Sequence, residues 1–148
     1  MLKNIHPLLV PDLLWILQAM GHGDELALVD RNFPAQSVAK STSSGKLVQL
    51  PSSHNGDAAG AICSVLPIDD FVEEPIRFMA VVGEPDQILP VHLEMQTVAS
   101  QAEGREVGIS PLERHTFYEA ARKAFAVVQT AEVRPYACFL ICKGVIKN

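Results

Sequence analysis

The sequence has no cluster of basic residues. Its 12 Lys and Arg stand against 17 Asp and Glu, for a net charge of -5, and a chain without a positive face makes a poor general partner for nucleic acid. No apolar run approaches the roughly 20 residues that cross a bilayer as a helix. The opening Met1-Leu2-Lys3-Asn4-Ile5-His6-Pro7 has one lysine and then a proline-bounded amphipathic stretch, unlike a secretory signal, so the expected compartment is the cytoplasm. The three cysteines, Cys63, Cys138 and Cys142, are odd in number. Two of them lie four apart in one expected strand, too far along it to bridge, so reduced thiols are expected. No second Cys or His cluster accompanies them, which argues against zinc. A nucleophile elbow, a phosphate-binding glycine loop and a Cys/His nucleophilic pair are also missing. Gly104-Arg105-Glu106-Val107-Gly108 is not a dinucleotide fingerprint. With no internal repeat, low-complexity tract or long linker, residues 1–148 read as a single domain.

What is present is ordinary globular composition: 48% hydrophobic and 20% charged residues, in a chain long enough to bury about 70% of its unfolded surface. Leu13, Ile16, Leu17 and Met20 recur at helical spacing after Pro11, which suits a first helical turn, and Gly21 is the expected left-handed stop. Leu26-Ala27-Leu28-Val29, closed by Asp30, is a continuous apolar run of the kind that forms a strand covered on both faces. Residues 31–55 are turn-rich around a short run at Lys46–Leu50. Helices are expected at Asp57–Leu66, Pro90–Glu103 and Thr116–Lys123, and strands at Arg77–Val82, Ala124–Gln129 and Cys138–Cys142. Glu106–Glu113 is ambiguous because Pro111 restricts any strand there to an edge. The alternation predicts an α/β fold, a three-layer α/β/α sandwich with a mostly buried sheet.

The chemistry-bearing candidates gather around that first buried strand. His22 stands between Gly21 and Gly23 where the first helix gives way to it. It reads either as a helix-end cap or as an acid/base group, since an imidazole titrates near neutrality. Asp24 and Asp30 are the neighbouring carboxylates expected to orient it, or to accept from a polyol hydroxyl. Asp30 ends the strand, where open α/β sheets place their ligand crevice, although it also suits a simple turn. Arg114 reads as solvated, or paired with Glu113 or Glu119. Tyr136, before the last strand, has a ring and hydroxyl that suit a sugar. His54, His92 and His115 read as surface residues.

The order of these pieces resembles the L-fucose mutarotase and D-ribose pyranase family. The resemblance rests on Pro11-Asp12-Leu13-Leu14, Met20-Gly21-His22-Gly23-Asp24-Glu25, Asp30 with Phe33-Pro34-Ala35, Phe117-Tyr118-Glu119, Lys123-Ala124-Phe125-Ala126, and Tyr136 ahead of Lys143-Gly144-Val145. It is nearer to the fucose branch and weakest over residues 36–105. It implies an isomerase that interconverts anomers or ring forms of a free monosaccharide without a metal or organic cofactor. By position, His22 matches the family's proton donor, Asp30 and Arg114 match sugar-binding positions, and Tyr136, Ala137 and Cys138 match a binding triplet. The family usually has asparagine where this chain has Cys138, so one sugar hydroxyl is read differently here. Family members form ring-like decamers with sites near subunit boundaries, which makes a homo-oligomer the expected partner. A sugar-binding protein without catalysis on the same scaffold is the alternative that Cys138 keeps open.

Overall fold

A computed structural model describes residues 1–147. Two-sided burial of a mixed sheet governs its architecture. The elements in chain order are α1 (Pro11–Ala19), β1 (Glu25–Val29), α2 (Ala35–Ala39), β2 (Leu47–Leu50), α3 (Asn55–Cys63), β3 (Ile76–Met79), α4 (Pro90–Glu103), β4 (Ile109–Leu112), α5 (Arg114–Arg122), β5 (Ala126–Thr130) and β6 (Phe139–Cys142). The six strands lie in the order β2-β5-β1-β6-β3-β4. β1, β2 and β5 are mutually parallel, as are β3 and β4. β6 runs antiparallel to both β1 and β3, so it joins two parallel blocks that point the same way.

The apolar run of β1 is explained by what covers it. Leu26 and Leu28 face one layer, with Phe139, Ile141, Ile76 and Phe78, and pack on Leu13, Ile16 and Leu17 of α1, Ala58 and Ile62 of α3, and Val91 and Met95 of α4. Ala27 and Val29 face the other way with Val127, Leu140 and Met79, against Val38 and Ala39 of α2 and Phe117 and Ala121 of α5. Because successive side chains in a strand alternate between faces, only a continuous apolar sequence satisfies both layers. The α/β/α sandwich expected from the sequence is what forms.

Several boundaries differ from the sequence expectation for local reasons. α2 falls in the stretch read as turns; at five residues it is too short for a periodic signal, and burial of Ala35, Val38 and Ala39 holds it in place. β4 does form, and its Pro111 is tolerated because β4 is the terminal strand. The first helix ends one residue early, with Met20 extended. The left-handed residue that follows is Gly23 (φ 87°), not Gly21. Cys63, Cys138 and Cys142 are all free thiols, and burial raises the first to about 12 and the third to about 11.

Gly144 follows β6 and lies against the segment Pro67–Asp69. Its N–H donates to Pro67 O (2.8 Å), and a Cβ there would sit 2.7 Å from Asp69 Cα and 2.8 Å from Ile68 O. Both neighbours are backbone, which cannot swing aside. Gly60, inside α3, has open space where its Cβ would be. Gly144→Ala is therefore expected to destabilise by about 1–3 kcal/mol through overpacking. Gly60→Ala is expected to stabilise by about 0.5–1 kcal/mol by removing unfolded-state freedom. Urea denaturation midpoints of the two variants check both signs.

Candidate active site

The topology collects loop ends. The C-terminal ends of β1, β3, β4 and β5 and the N-terminal end of the reversed β6 lie along one edge of the sheet. There a cleft of about 240 Å³ is lined by Asp30, Asn32, Phe33, Met79, Arg114, Tyr118, Pro135, Tyr136 and Cys138. Four of the six residues singled out in the sequence thus meet in one place.

Asp30 is nearly buried, at 6% exposed. Its Oδ1 accepts from the backbone N–H groups of Asn32 (2.9 Å) and Phe33 (3.0 Å). Its Oδ2 accepts from the thiol of Cys138 (3.5 Å). Burial raises its pKa above the usual carboxylate value, against the opposing pull of these hydrogen bonds. Burial likewise holds the Cys138 thiol well above its ordinary value, so the sulfur is a neutral donor and no thiolate nucleophile. Arg114 begins α5 immediately after β4. Neither partner suggested by the sequence holds it: Glu113 caps the helix by accepting from His115 and Thr116 N–H (2.8 and 3.0 Å), and Glu119 pairs with Arg122. Those backbone hydrogen bonds hold Glu113 below the usual carboxylate range. Arg114 is left to line the cleft.

Tyr136 adopts a left-handed backbone (φ 60°), a conformation that costs a residue with a bulky side chain of order 1 kcal/mol. Three side chains hold the turn there. The Tyr136 hydroxyl accepts from Val82 N–H (3.3 Å), the Tyr136 carbonyl accepts from His92 Nε2–H (3.1 Å), and the Ala137 carbonyl accepts from the Asn55 amide (2.6 Å). Ala137 itself turns its methyl into the main core and does not line the cleft.

His92 is not a surface residue. It is fully buried and stacks on Phe78 with ring centroids 4.0 Å apart. Leu89 N–H donates to its Nδ1 (3.0 Å), which leaves the ring proton on Nε2 for Tyr136. Burial lowers its pKa, keeping it neutral. Its position was readable: His92 shares helical spacing with Met95 and Ala99, the buried face of α4. Below it, Glu132 is 1% exposed. Its carboxylate accepts from Val133 N–H, Arg134 N–H and Asn55 N–H and from the Arg134 guanidinium (2.8–2.9 Å). Arg134 continues to Glu94. The Arg134 hydrogen bond, more than any other cause, pushes Glu132 down to about 2.

His22 is elsewhere. It precedes β1, on the opposite edge of the sheet from Asp30, and β1 alone spans about 16 Å at the usual strand rise. Neither Asp24 nor Asp30 orients it: Asp24 accepts from Gly21 N–H (2.7 Å). Its Nε2 instead lies 2.9 Å from Oδ1 of Asp69, a residue the sequence reading did not single out. Phe71 lies against the imidazole with ring centroids 4.9 Å apart and the planes tilted by 49°. Asp69 is 47 residues from His22 in a loop without a motif, so only the fold brings the two together.

The chain matches the RbsD / FucU transport protein family over residues 3–146. It belongs to that family. The fucose mutarotase of Homo sapiens is 36% identical over 154 residues, covering 98% of this chain and 94% of the relative. A crystal structure described as the putative sugar binding protein Atu2016 superposes with a TM-score of 0.95 at 46% identity, covering 99% and 97% of the two chains. The Streptococcus pneumoniae fucose mutarotase in complex with L-fucose gives a TM-score of 0.84 at 33% identity, covering 99% and 100%. Among the described residues, no helix of this RbsD / FucU chain is long and apolar enough to cross a membrane.

The Glu132 cluster has a definite pH signature. A carboxylate depressed to about 2 in the fold and near 4.3 when unfolded contributes stability that is complete above the unfolded value. That stability is lost as pH falls from there toward 2. Glu132→Gln is expected to cost about 2 kcal/mol at pH 7, the range for a charged hydrogen bond. It should also flatten the decline in stability between about pH 5 and pH 2 relative to the parent. Thermal melts of both proteins across that window measure it.

Proposed function

We propose that this chain is a sugar mutarotase, interconverting the anomers or ring forms of a free monosaccharide, L-fucose or a related sugar. The observation that carries this is the cleft. A carboxylate, a guanidinium and a phenol converge over an apolar floor of Phe33 and Met79, in a chain related over its full length to proteins named fucose mutarotase. Hydroxyls need charged acceptors and donors, while the sugar's C–H face needs an apolar floor and aromatic edges.

The reaction is balanced proton exchange. The anomeric hydroxyl loses its proton as the bond between C1 and the ring oxygen breaks. C1 becomes a carbonyl and the ring oxygen takes up a proton. Rotation about the bond to C1 and reclosure reverse both transfers. His22 gives and takes the proton, a contribution worth about 10²–10⁴-fold for a well-placed imidazole. Asp30, Arg114, Tyr136 and Cys138 bind the sugar, and Ala137 contributes through its backbone. The Cys138 thiol, already donating to Asp30, leaves Asp30 as the acceptor.

His22 and the cleft lie at opposite sheet edges, so the working site on this reading joins His22 of one copy to the cleft of another. Head-to-tail contacts of this kind close into rings, and the family resemblance suggests a decamer working in the cytoplasm. Exposed apolar side chains stand ready at both edges: Phe71 and Val72 beside His22, Val82 and Val133 beside the cleft. An isolated chain favours the second reading, a protein that binds sugar without catalysis, because its cleft has no imidazole.

Saturation-transfer NMR on L-fucose, D-ribose and related sugars tests the activity. Anomer exchange should accelerate with the protein, and His22→Ala should abolish the acceleration while leaving sugar binding in place. If no monosaccharide exchanges faster with the parent protein, the enzymatic reading is wrong. Mixing tests the shared site. His22→Ala and Asp30→Asn chains are each expected to be inactive alone. Refolded together in equal amounts, they should regain about a quarter of parental activity, because one junction in four pairs the two intact halves. No recovery on mixing would overturn the shared site.

A further inference from the structure

The cleft does not end at Arg114. Beyond that residue lies a second hollow of about 350 Å³, lined by Val81, Val82, Pro85, Asp86, Pro111 and Arg114. Three features join the two spaces. Arg114 lines both, and Met79 lines the cleft while its chain neighbour Ala80 lines the hollow. The Tyr136 hydroxyl, on the cleft side, accepts from Val82 N–H on the hollow side (3.3 Å). Backbone contacts fix the walls. Ala80 N–H donates to Leu112 O (2.8 Å), and Val81 and Glu84 form an isolated antiparallel bridge. Gly83 closes the turn between them with a left-handed φ of 80°. The lining repeats the chemistry of the cleft, a carboxylate and a guanidinium beside apolar side chains. Neither Asp86 nor Arg114 belongs to an ion pair among the described residues. Glu113 adds a second carboxylate, engaged by the first amides of α5. Two carboxylates beside one guanidinium disfavour a phosphate and suit a neutral polyol, whose hydroxyls donate to Asp86 and accept from Arg114. At about 240 Å³ the cleft alone falls short of the roughly 300–1,000 Å³ usual for small-molecule sites, and with the hollow it reaches that range.

We propose that this hollow is a second sugar subsite, so that the protein opens the reducing end of a disaccharide as well as a monosaccharide. This rests on the mutarotase reading and extends its substrate class. The reducing unit lies in the cleft over Phe33 and Met79, within reach of Asp30. The second unit, attached through a carbon other than C1, passes Arg114 into the hollow, where Val81, Val82, Pro85 and Pro111 meet its C–H faces. Only the reducing unit has a hemiacetal. Its bond between C1 and the ring oxygen breaks and re-forms with the same two proton transfers as in a monosaccharide. The glycosidic bond is an acetal with no hydroxyl proton to lose, and it stays intact. Contacts to the second unit are remote from the reacting atoms, and their binding energy helps to hold the reducing unit in its reactive geometry.

Saturation-transfer NMR compares the monosaccharide that the parent exchanges fastest with its derivatives carrying a second sugar on each of the other hydroxyls. At least one derivative should reach a kcat/KM within about tenfold of the monosaccharide. Every derivative falling below that overturns the proposal, and a hollow closed by a neighbouring copy gives that result. In Asp86→Ala the ratio of disaccharide to monosaccharide kcat/KM should drop about tenfold, as for one lost hydrogen bond to a charged group. An unchanged ratio also overturns it. Binding supplies a readout that needs no turnover. The backbone amide signal of Gly83 should shift on titration with a glycosylated L-fucose and stay in place with L-fucose itself. If the parent accelerates no sugar, the mutarotase reading fails and the Gly83 signal alone decides the subsite. A signal that stays in place with every disaccharide overturns it.

Discussion

The reversed strand β6 is the constraint on which the rest depends. It pairs with β1 from Glu25↔Cys142 to Leu28↔Phe139 and with β3 through Ile76↔Ile141. One antiparallel strand between two parallel blocks has a geometric consequence that neither block has alone. The start of β6 lands beside the ends of β1 and β3, so Tyr136 and Cys138 arrive next to Asp30 and Met79. Its far end lands beside the start of β1, so Lys143 and Gly144 arrive next to Gly23 and Asp69. Both edges of the sheet thus acquire polar chemistry from the same strand. The interior of β6, Phe139 to Ile141, is wholly buried and fixes the register that sets both ends.

The cleft edge relies on a polar scaffold beneath it. Asn55, His92, Glu132 and Arg134 share one purpose, which is to hold residues 132–138 in a shape the chain would not choose unaided. Buried polar groups are costly when partly satisfied and rigid when fully satisfied, and among the described residues no buried side-chain nitrogen or oxygen lacks a partner. The left-handed backbone of Tyr136 is sustained by that rigidity. The opposite edge is organised differently. There a single buried carboxylate meets a half-exposed imidazole beside an exposed aromatic ring, an arrangement open to an incoming surface.

Much of this was legible in the residue order. The β1 run could only be a strand covered twice, α4 occupies the expected Pro90–Glu103, and Asp30 and Tyr136 were placed at strand mouths that prove to adjoin. What escaped was set by distance along the chain. Asp69 reaches His22 across 47 residues, and nothing local marks it out from Asp70. His92 reads as solvated because it stands in a polar stretch, although its spacing with Met95 puts it on the buried face. The separation of His22 from Asp30 was implicit in the strand between them: five extended residues cannot bring their two flanks together. The short helix α2 is held by tertiary packing, which a five-residue window does not reveal.

The three thiols turn the chain into its own recorder of local opening. Cys63 closes α3, Cys138 floors the cleft and Cys142 ends β6 beside the histidine edge. Where a thiol is raised to about 11, as at Cys142, only about one molecule in a thousand carries the reactive thiolate at pH 8. Alkylation of the closed protein is correspondingly slow. Each sulfur becomes ordinary when its surroundings open, so the rate at which each is trapped by an alkylating reagent reports how often that region breathes. Three regions of one small domain can be timed separately without introducing a label.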